Sequence, residues 1–147
     1  MHIAIGADHG GYELKQQIAE FLTAQGHQVQ DFGTHSLESV DYPDFAALVA
    51  RAVAAGEAER GIVICGTGIG VSMTANKVRG IRAALCTDCY MARMAREHND
   101  AQILCLGGRV LGVGSALDVV QVFLSSEFLG GRHARRVDKI NALDRKE

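Results

Sequence analysis

Short apolar runs alternate with longer amphipathic segments along the chain. The first run, residues 2–7 (HIAIGA), is apolar throughout, which is typical of a strand. Residues 11–26 follow with a helical period and end at Gly26, a residue that commonly terminates helices. Four apolar positions of this segment fall on one helical face: Leu14, Ile18, Phe21 and Leu22. The pattern therefore predicts a strand followed by an amphipathic helix.

The same alternation continues through the rest of the sequence. Further strands are predicted at residues 27–33, 61–66, 81–87 and 101–108. Further helices are predicted at residues 41–57, about 70–77, 88–99, 113–128 and about 133–145. Pro43 suits the first turn of a helix, and Asp88 is a suitable N-cap. Alternating strands and helices predict one α/β domain over residues 1–147: a Rossmann-like three-layer sandwich with a five-stranded parallel sheet and helices on both faces.

Polar and glycine-rich loops follow four of the predicted strands. They occupy residues 7–11, 65–70, 86–89 and 107–110. Parallel α/β sheets bind ligands outside the carboxyl ends of their strands, where the strand order reverses. These loops are therefore the predicted location of a binding or active site.

The segment ICGTGIG, residues 64–70, has glycines at every second position behind Cys65. A dinucleotide fingerprint needs the spacing G-x-G-x-x-G, and the G-x-G-x-G found here is one residue too short. Asp88 could serve as the acid that binds a ribose, so a nicotinamide or flavin site stays a weaker alternative. A Walker loop is excluded, because no Gly-Lys-Ser/Thr occurs in the chain.

Glycines between a strand and a helix let several backbone N–H groups converge on one point. Such a point binds a phosphate or an oxyanion that develops during a reaction. Cys65 ends the strand beside this loop, where a thiolate would be stabilised for use as a base or nucleophile. Considered alone, Cys65 also fits a small buried hydrophobic residue.

The remaining cysteines and histidines give weaker signals. Cys86 and Cys89 form a C-x-x-C pair, which is found in redox and zinc sites. The pair follows the fourth strand rather than the first, and only His98 is near enough in sequence to complete a metal site, so packed thiols are favoured. His98 ends a helix at the edge opposite the carboxyl ends, where a C-cap cation is the simplest interpretation. A site shared between subunits would give it a different role.

Composition restricts the class of protein. Seventeen acidic and fifteen basic side chains give a net charge of −2, so general nucleic-acid binding is not expected. A basic run, GGRHARR, occupies residues 130–136 and by itself fits a solvated surface. No apolar run is long enough for a membrane helix, and the first residues lack the pattern of a signal peptide. We therefore expect a cytoplasmic protein with reduced thiols.

Six separated blocks resemble the type B ribose-5-phosphate isomerases. They are ADHGG, DYPDFA, ICGTGIGVSMTANK, GIRAALC, REHNDAQILCLGGRVLG and GGRHARRVDKI. They occur in the family's order and spacing from about residue 2 to about residue 140. The wider family includes galactose-6-phosphate and allose-6-phosphate isomerases. The resemblance implies interconversion of an aldose phosphate and a ketose phosphate through an enediolate, without a metal or other cofactor.

The resemblance also assigns roles to residues that the patterns alone leave open. Cys65 is implied as the base that moves a proton between C2 and C1, and Thr67 as the group that assists transfer between the oxygens. His98 and Asp8 are implied in opening the sugar ring. The implied substrate-binding residues are His9, Tyr42, Gly66, Gly68, Gly70, Asn99, Arg109, Arg132 and Arg136. Some family members use a glutamate just after the glycine loop, where this chain has Val71 and Ser72, so it matches the cysteine branch.

The implied assembly is a homodimer with shared active sites, to which the helix at about 133–145 contributes, or a dimer of dimers. The expected partner is a small sugar phosphate, with neither nucleic acid nor membrane involved. Two other hypotheses stay open. One is a non-catalytic nucleotide-binding module, and the other is a non-catalytic subunit of a hetero-oligomeric isomerase.

Overall fold

Five strands and six α-helices alternate along residues 1–145, the part of the chain that this computed structural model describes. The strands are β1 (His2–Ala7), β2 (Gln28–Asp31), β3 (Arg60–Cys65), β4 (Ala83–Leu85) and β5 (Ile103–Gly107). The helices are α1 (Tyr12–Ala24), α2 (Tyr42–Ala54), α3 (Ile69–Ala75), α4 (Cys89–Glu97), α5 (Val113–Ser125) and α6 (Arg132–Ala142). The predicted order of elements is confirmed.

The five strands form one parallel sheet in the order β2-β1-β3-β5-β4. β1, β3 and β5 are neighbours at its centre. Ala7 pairs with Ile64, and Cys65 pairs with Gly107, so these three strands end at nearly the same level. The loops that follow them therefore meet at one edge, here called the carboxyl edge. The opposite edge, where the strands begin, is the amino edge.

Two separate apolar clusters cover the two faces of the sheet. α1, α4 and α5 pack on one face, around Ile5, Ile64 and Phe123. α2 and α3 pack on the other face, around Val49, Val63 and further small residues. Side chains of successive strand residues alternate between the clusters because a strand has a period of two. The predicted three-layer sandwich is confirmed.

Most predicted boundaries differ from the structure by a few residues. α3 begins at Ile69 and ends at Ala75, slightly before the predicted helix. β4 is limited to Ala83–Leu85, since it lies at the sheet edge and pairs with β5 alone. The α-helical part of the C-terminal segment is Arg132–Ala142, and a 3₁₀ turn follows at Leu143–Arg145. The last two residues of the predicted domain, 146 and 147, lie outside the described residues.

Lys15 is a charged residue inside the first cluster's helix layer. Its side chain is 0% exposed, and its Nζ lies 2.6 Å from Oδ2 of Asp31 at the end of β2. Gln16 Oε1 accepts a second hydrogen bond from the same Nζ at 3.0 Å. A buried ammonium needs such partners because its desolvation is costly. This ion pair joins α1 to the edge strand β2.

Among residues 1–145, no helix is long and apolar enough to cross a membrane.

Candidate active site

The loops after β1, β3 and β5 are joined by backbone hydrogen bonds at the carboxyl edge. Asp8 N donates to Ile64 O at 3.2 Å, Gly108 N donates to Cys65 O at 2.8 Å, and Arg109 N donates to the carbonyl of the next residue, 66, at 3.0 Å. Three of the four predicted loops thus form one surface. The fourth, residues 86–89, lines a different cavity with residues of α5.

A cleft of about 390 Å³ opens between these loops. Its lining residues are Asp8, Tyr42, Cys65, Gly66, Thr67, Ile69, Gly70 and Met73. Cys65 is only 5% exposed, so its sulfur lies at the floor of the cleft. The structure therefore brings together five residues that the sequence resemblance placed in a catalytic or binding role beside Cys65: Asp8, Tyr42, Gly66, Thr67 and Gly70.

Two amides of the glycine loop donate to side chains of the loop itself. Gly68 N donates to Cys65 Sγ at 3.1 Å, and Ile69 N donates to Thr67 Oγ1 at 3.1 Å. The first of these bonds fixes the position of the sulfur at the start of the loop. The Gly68 amide thus contacts the cysteine, whereas the sequence resemblance assigned it to the substrate.

Glycine is required at two positions of this loop for different reasons. Gly68 has a φ of +83°, and a Cβ there would lie 2.5 Å from Leu85 Cδ1 and 2.9 Å from Leu106 C. A side chain would therefore meet both backbone strain and a steric clash. At Gly70 a Cβ would lie 2.5 Å from Tyr42 Cε1. The absence of a side chain at 70 is what lets the Tyr42 ring close over the loop.

Asp8 is held in a fixed orientation at the rim of the cleft. It is 7% exposed, and its Oδ1 accepts hydrogen bonds from Gly10 N at 2.9 Å and Gly11 N at 3.2 Å. These two bonds fix the direction of the carboxylate. Asp8 therefore presents a preoriented negative charge next to the Cys65 cleft.

A second cleft, of about 240 Å³, adjoins the first. Its lining includes His9 and Arg109, both predicted phosphate ligands, together with Glu13 and Leu37. His9 Nδ1 accepts a hydrogen bond from Val40 N at 3.2 Å, so a neutral His9 ring carries its proton on Nε2. A cation and an imidazole N–H in one cleft are suited to binding a phosphate.

Four predicted site residues lie at the amino edge instead. His98 is the C-cap of α4, and Asn99 follows it in the turn that leads to β5. This turn adjoins the start of β3, where Gly61 N donates to Gln102 O at 3.0 Å. The four-residue step along β3 from Gly61 to Cys65 covers about 13 Å. Within one chain, His98 and Asn99 are therefore remote from the Cys65 cleft.

Arg132 and Arg136 accompany His98 at this edge. Both arginines lie on α6, whose buried His133 stacks on His98 with ring centroids 4.0 Å apart and an interplanar angle of 11°. Burial lowers the pKa of His133, and the neighbouring His98, Arg132 and Arg136 lower it further. The four remote residues thus form a cluster of their own, here called the amino-edge cluster.

Sequence reasoning missed several residues that line the two clefts. Ile69 and Met73 are exposed hydrophobic residues four positions apart on α3, a spacing that places them on one helical face and could have revealed them. Glu13 and Leu37 line the second cleft, and no local pattern of the sequence identifies them. Loop residues such as Leu37 reach a site only through the tertiary fold.

The other cysteines lie apart from the Cys65 cleft. Cys86 is buried, and burial together with the nearby Asp88 raises the pKa of its thiol to about 12. Burial also raises the pKa of Cys105, while Cys89 is exposed. All four cysteines are free thiols. Over residues 1–145, no three His, Cys, Asp or Glu side chains come together as a potential metal site.

Comparisons with known proteins cover almost the whole chain. Residues 3–140 match the sequence profile described as Ribose/Galactose Isomerase. The chain is 46% identical over 144 residues to ribose-5-phosphate isomerase B of Escherichia coli strain K12, covering 98% of this chain and 97% of that protein. It is 44% identical over 128 residues to galactose-6-phosphate isomerase subunit LacB of Clostridium acetobutylicum, covering 87% of this chain and 74% of that protein.

One solved structure is similar to this chain in both sequence and fold. The structure of Clostridium thermocellum ribose-5-phosphate isomerase B superposes with a TM-score of 0.97 at 64% sequence identity. The match covers 98% of this chain and 97% of that one. The fold, with its five-stranded sheet, is therefore shared across essentially the full length.

Proposed function

Since the chain belongs to the Ribose/Galactose Isomerase family and is an aldose–ketose isomerase of the ribose-5-phosphate isomerase B type, we propose that its substrates are ribose 5-phosphate and ribulose 5-phosphate. The reaction proceeds through an enediolate, uses Cys65 as the base and needs no metal ion. A cytoplasmic location belongs to the same proposal, because Cys65 must stay reduced.

The observation that carries the proposal is the position of Cys65. Its sulfur lies at the floor of the larger cleft and accepts a hydrogen bond from Gly68 N at 3.1 Å. The neighbouring cleft contains His9 and Arg109. A sugar phosphate that places its phosphate against these two residues brings its carbon chain toward the sulfur.

The proposed reaction begins with ring opening, because C1 of the cyclic sugar is held in a hemiacetal. Asp8 and His98 move the protons of this step. The Cys65 thiolate then takes the proton from C2, the C2 electron pair forms the C1–C2 double bond, and O1 becomes an oxyanion. Those amides of residues 66 to 70 that do not donate to the side chains of Cys65 or Thr67 stabilise that charge. Thr67 assists the proton transfer between O2 and O1, and the Cys65 thiol returns its proton to C1.

Substrate binding involves contacts along the whole sugar phosphate. The phosphate binds to His9, Arg109, Arg132 and Arg136. Asn99 holds sugar oxygens, and Tyr42 covers the reacting end. Several charged donors on one phosphate fix the reacting carbons from a distance, which lowers the entropic part of the barrier.

This set of contacts requires two copies of the chain. Within one protomer, the amino-edge cluster and Cys65 lie at opposite edges of the sheet. The cluster therefore serves the Cys65 cleft of a second copy, through His98, Asn99, Arg132 and Arg136. We therefore propose a homodimer with shared active sites, in which α6 contributes to the interface. A dimer of dimers would preserve the same sites. The size of the assembly can be measured by analytical ultracentrifugation.

Galactose 6-phosphate is the second candidate substrate, because a relative 44% identical to this chain is named a galactose-6-phosphate isomerase subunit. Allose 6-phosphate completes the comparison, since the three sugars differ in length or in the configuration of a hydroxyl. A kcat/KM series over ribose 5-phosphate, allose 6-phosphate and galactose 6-phosphate tests the choice. The proposal expects ribose 5-phosphate to give the highest value, and a higher value for either hexose phosphate would contradict it.

Metal independence has its own test. Activity is measured after dialysis against EDTA and compared with an untreated sample. The proposal expects unchanged turnover. Loss of activity that returns on adding a divalent cation would instead indicate a metal-dependent isomerase. Tight binding of an adenine or nicotinamide nucleotide without sugar-phosphate turnover would favour the nucleotide-binding alternative.

A further inference from the structure

The amino-edge cluster is built from two elements far apart in sequence. His98 and Asn99 come from the turn after α4, whereas Arg132 and Arg136 come from α6. The His98–His133 ring stack at 4.0 Å joins these elements directly. A hydrogen bond from Leu129 N, in the loop before α6, to Glu97 O at the end of α4 joins their flanks at 3.0 Å. The turn and the helix are therefore held in a fixed relation before any partner arrives.

Arg82, just before β4, supplies the third and most extensive link. Its Nε donates to Asn99 O at 3.1 Å, and its Nη2 donates to Asp100 O at 2.8 Å. Its Nη1 donates to Asn141 Oδ1 on α6 at 2.7 Å. One guanidinium thus binds both carbonyls of the turn and the far end of the helix. The side chain is 12% exposed, and its Nη2 also lies 3.5 Å from Oδ2 of Asp100.

The turn itself has an unusual backbone. Asp100 has a φ of +48°, a left-handed conformation that is uncommon for non-glycine residues and that aspartate adopts more readily than most. Its Oδ1 accepts from Arg96 Nη1 at 3.0 Å, and Arg96 also donates to Ala101 O at 2.8 Å. Arg82 and Arg96 therefore hold the turn from two sides.

The base of Arg82 is also fixed. Its N donates to Gln102 Oε1 at 2.8 Å, and its O accepts from Gln102 N at 3.0 Å. The guanidinium therefore extends from a rigid backbone position next to β5. A lysine could not reproduce this arrangement, because an ammonium is a compact charge and lacks the planar fork that reaches three separated acceptors.

We propose that Arg82 is a positioning residue of the isomerase: it holds His98 and Asn99 in register with α6, so that the amino-edge cluster enters the partner's active site as one preformed unit. This inference rests on the shared active site proposed above. Arg82 acts through the residues it holds and touches no substrate. Its loss would leave the Cys65 cleft of its own chain intact and damage the cleft of the partner.

The test uses doubly tagged mixed dimers, in which every molecule contains one copy of each variant. Cys65→Ala paired with His98→Asn is the reference, because one of its two sites then has both residues intact. Arg82→Gln is examined alone, paired with Cys65→Ala, and paired with His98→Asn. Arg51→Gln on α2, which removes an exposed arginine on the opposite face of the sheet, is the matched control.

Arg82→Gln alone is expected to lower kcat/KM about 10- to 100-fold, since small misplacement of catalytic groups has effects of this size. Paired with Cys65→Ala it is expected to recover about half of wild-type activity, because one of two symmetric sites is intact. Paired with His98→Asn it is expected to stay low. Arg51→Gln is expected to match the wild type.

Each other outcome overturns a defined part of the proposal. Failure of the reference pair to recover overturns the shared site and, with it, the role of Arg82. If the reference pair recovers, two results overturn only the role of Arg82 and leave the shared site standing. One is wild-type activity of Arg82→Gln, and the other is recovery of Arg82→Gln only when it is paired with His98→Asn. If Arg82→Gln does not fold, two other variants replace it. Arg82→Lys removes the planar guanidinium, and Asn141→Ala removes one of its acceptors. Both must show the same pattern of recovery in the mixed dimers.

Discussion

The sulfur of Cys65 lies 3.1 Å from the backbone nitrogen of Gly68, the residue of the glycine loop with a φ of +83°. The tight turn of the glycine loop brings the Gly68 amide back to the end of β3. The same glycine that allows the tight turn therefore also supplies a hydrogen bond to the sulfur that we propose as the base. The conformation of the loop and the hydrogen bond to the sulfur therefore both depend on Gly68.

Replacing Cys65 tests the base directly. Cys65→Ala is expected to reduce kcat about 10²- to 10⁴-fold, the range that a positioned base contributes. Binding of the sugar phosphate should persist, because His9 and Arg109, two of the proposed phosphate ligands, lie in the adjoining cleft. Turnover by NMR and binding by calorimetry measure the two effects. Cys89→Ala, at an exposed cysteine, is the control and should retain full activity; near-normal turnover by Cys65→Ala would disprove the assignment.

Gly70→Ala tests the contact between the glycine loop and Tyr42. The new methyl group would lie 2.5 Å from Tyr42 Cε1 and push the ring away. We expect KM to rise about tenfold, because the group covering the substrate is misplaced. In a Tyr42→Leu background the same substitution should have little further effect, as coupled residues are not additive. An equal effect in both backgrounds would contradict this explanation.

Gly114→Ala is the matched glycine control. A Cβ at Gly114 meets no other atom within 4 Å, and the residue lies inside α5. Alanine favours a helix over glycine by about 0.5–1 kcal/mol, so the free energy of unfolding should rise slightly. Activity should not change. Urea denaturation and a standard rate assay measure both quantities.

The pH dependence of stability should reveal His133. Burial and the nearby His98, Arg132 and Arg136 lower the pKa of His133 in the folded chain. The unfolded chain, with an ordinary histidine pKa of about 6.5, then binds this proton more readily than the folded chain. The contribution of neutral His133 to the free energy of unfolding is therefore fully present above about pH 6.5. It is lost as the pH falls through the lower folded pKa.

Thermal unfolding between pH 8 and pH 5 measures this effect. His133→Gln should flatten the acid side of the profile, because glutamine does not titrate. His35→Gln replaces an exposed histidine and should leave the slope as it is in the wild type. A His133→Gln profile identical to that of the wild type would show that another group causes the acid loss.

The Lys15–Asp31 pair predicts an asymmetry between its two partners. Asp31→Asn leaves the fully buried ammonium without its counter-charge and should lower the free energy of unfolding by about 3 kcal/mol. Lys15→Met removes the charge, keeps an unbranched chain and should cost less than about 1.5 kcal/mol. Urea denaturation of both variants measures the difference. A larger loss for Lys15→Met would contradict this account.

Hydrophobic periodicity predicted nearly all of the fold. Continuous apolar runs such as residues 61–66 predict strands buried on both faces, and those strands are buried in the structure. Boundaries were less accurate where local pattern does not decide them. β4 is short because it has a neighbour on one side alone, which is a property of strand order rather than of its own residues.

Part of the site was predicted from local sequence patterns, and the rest depends on contacts between residues far apart in sequence. The carboxyl-edge rule predicted the meeting of Asp8, Cys65 and Arg109, because these residues follow neighbouring strands. The grouping of His98 with α6 and the fork of Arg82 depend on contacts between residues far apart in sequence, with 59 positions separating Arg82 from Asn141. A residue pattern in one segment contains no signal for such contacts.

The strand order has a consequence for how the molecule is assembled. β5 lies between β3 and β4, although it is the last of the five strands to be synthesised. During translation β4 is therefore made before β5, the strand that pairs with it. Until β5 is made, β3 has a neighbouring strand on one side alone. The turn that carries His98 precedes β5, and the loop that carries Arg109 follows it. Pairing of this one five-residue strand with both neighbours thus completes the sheet, and it also fixes the turn before it and the loop after it.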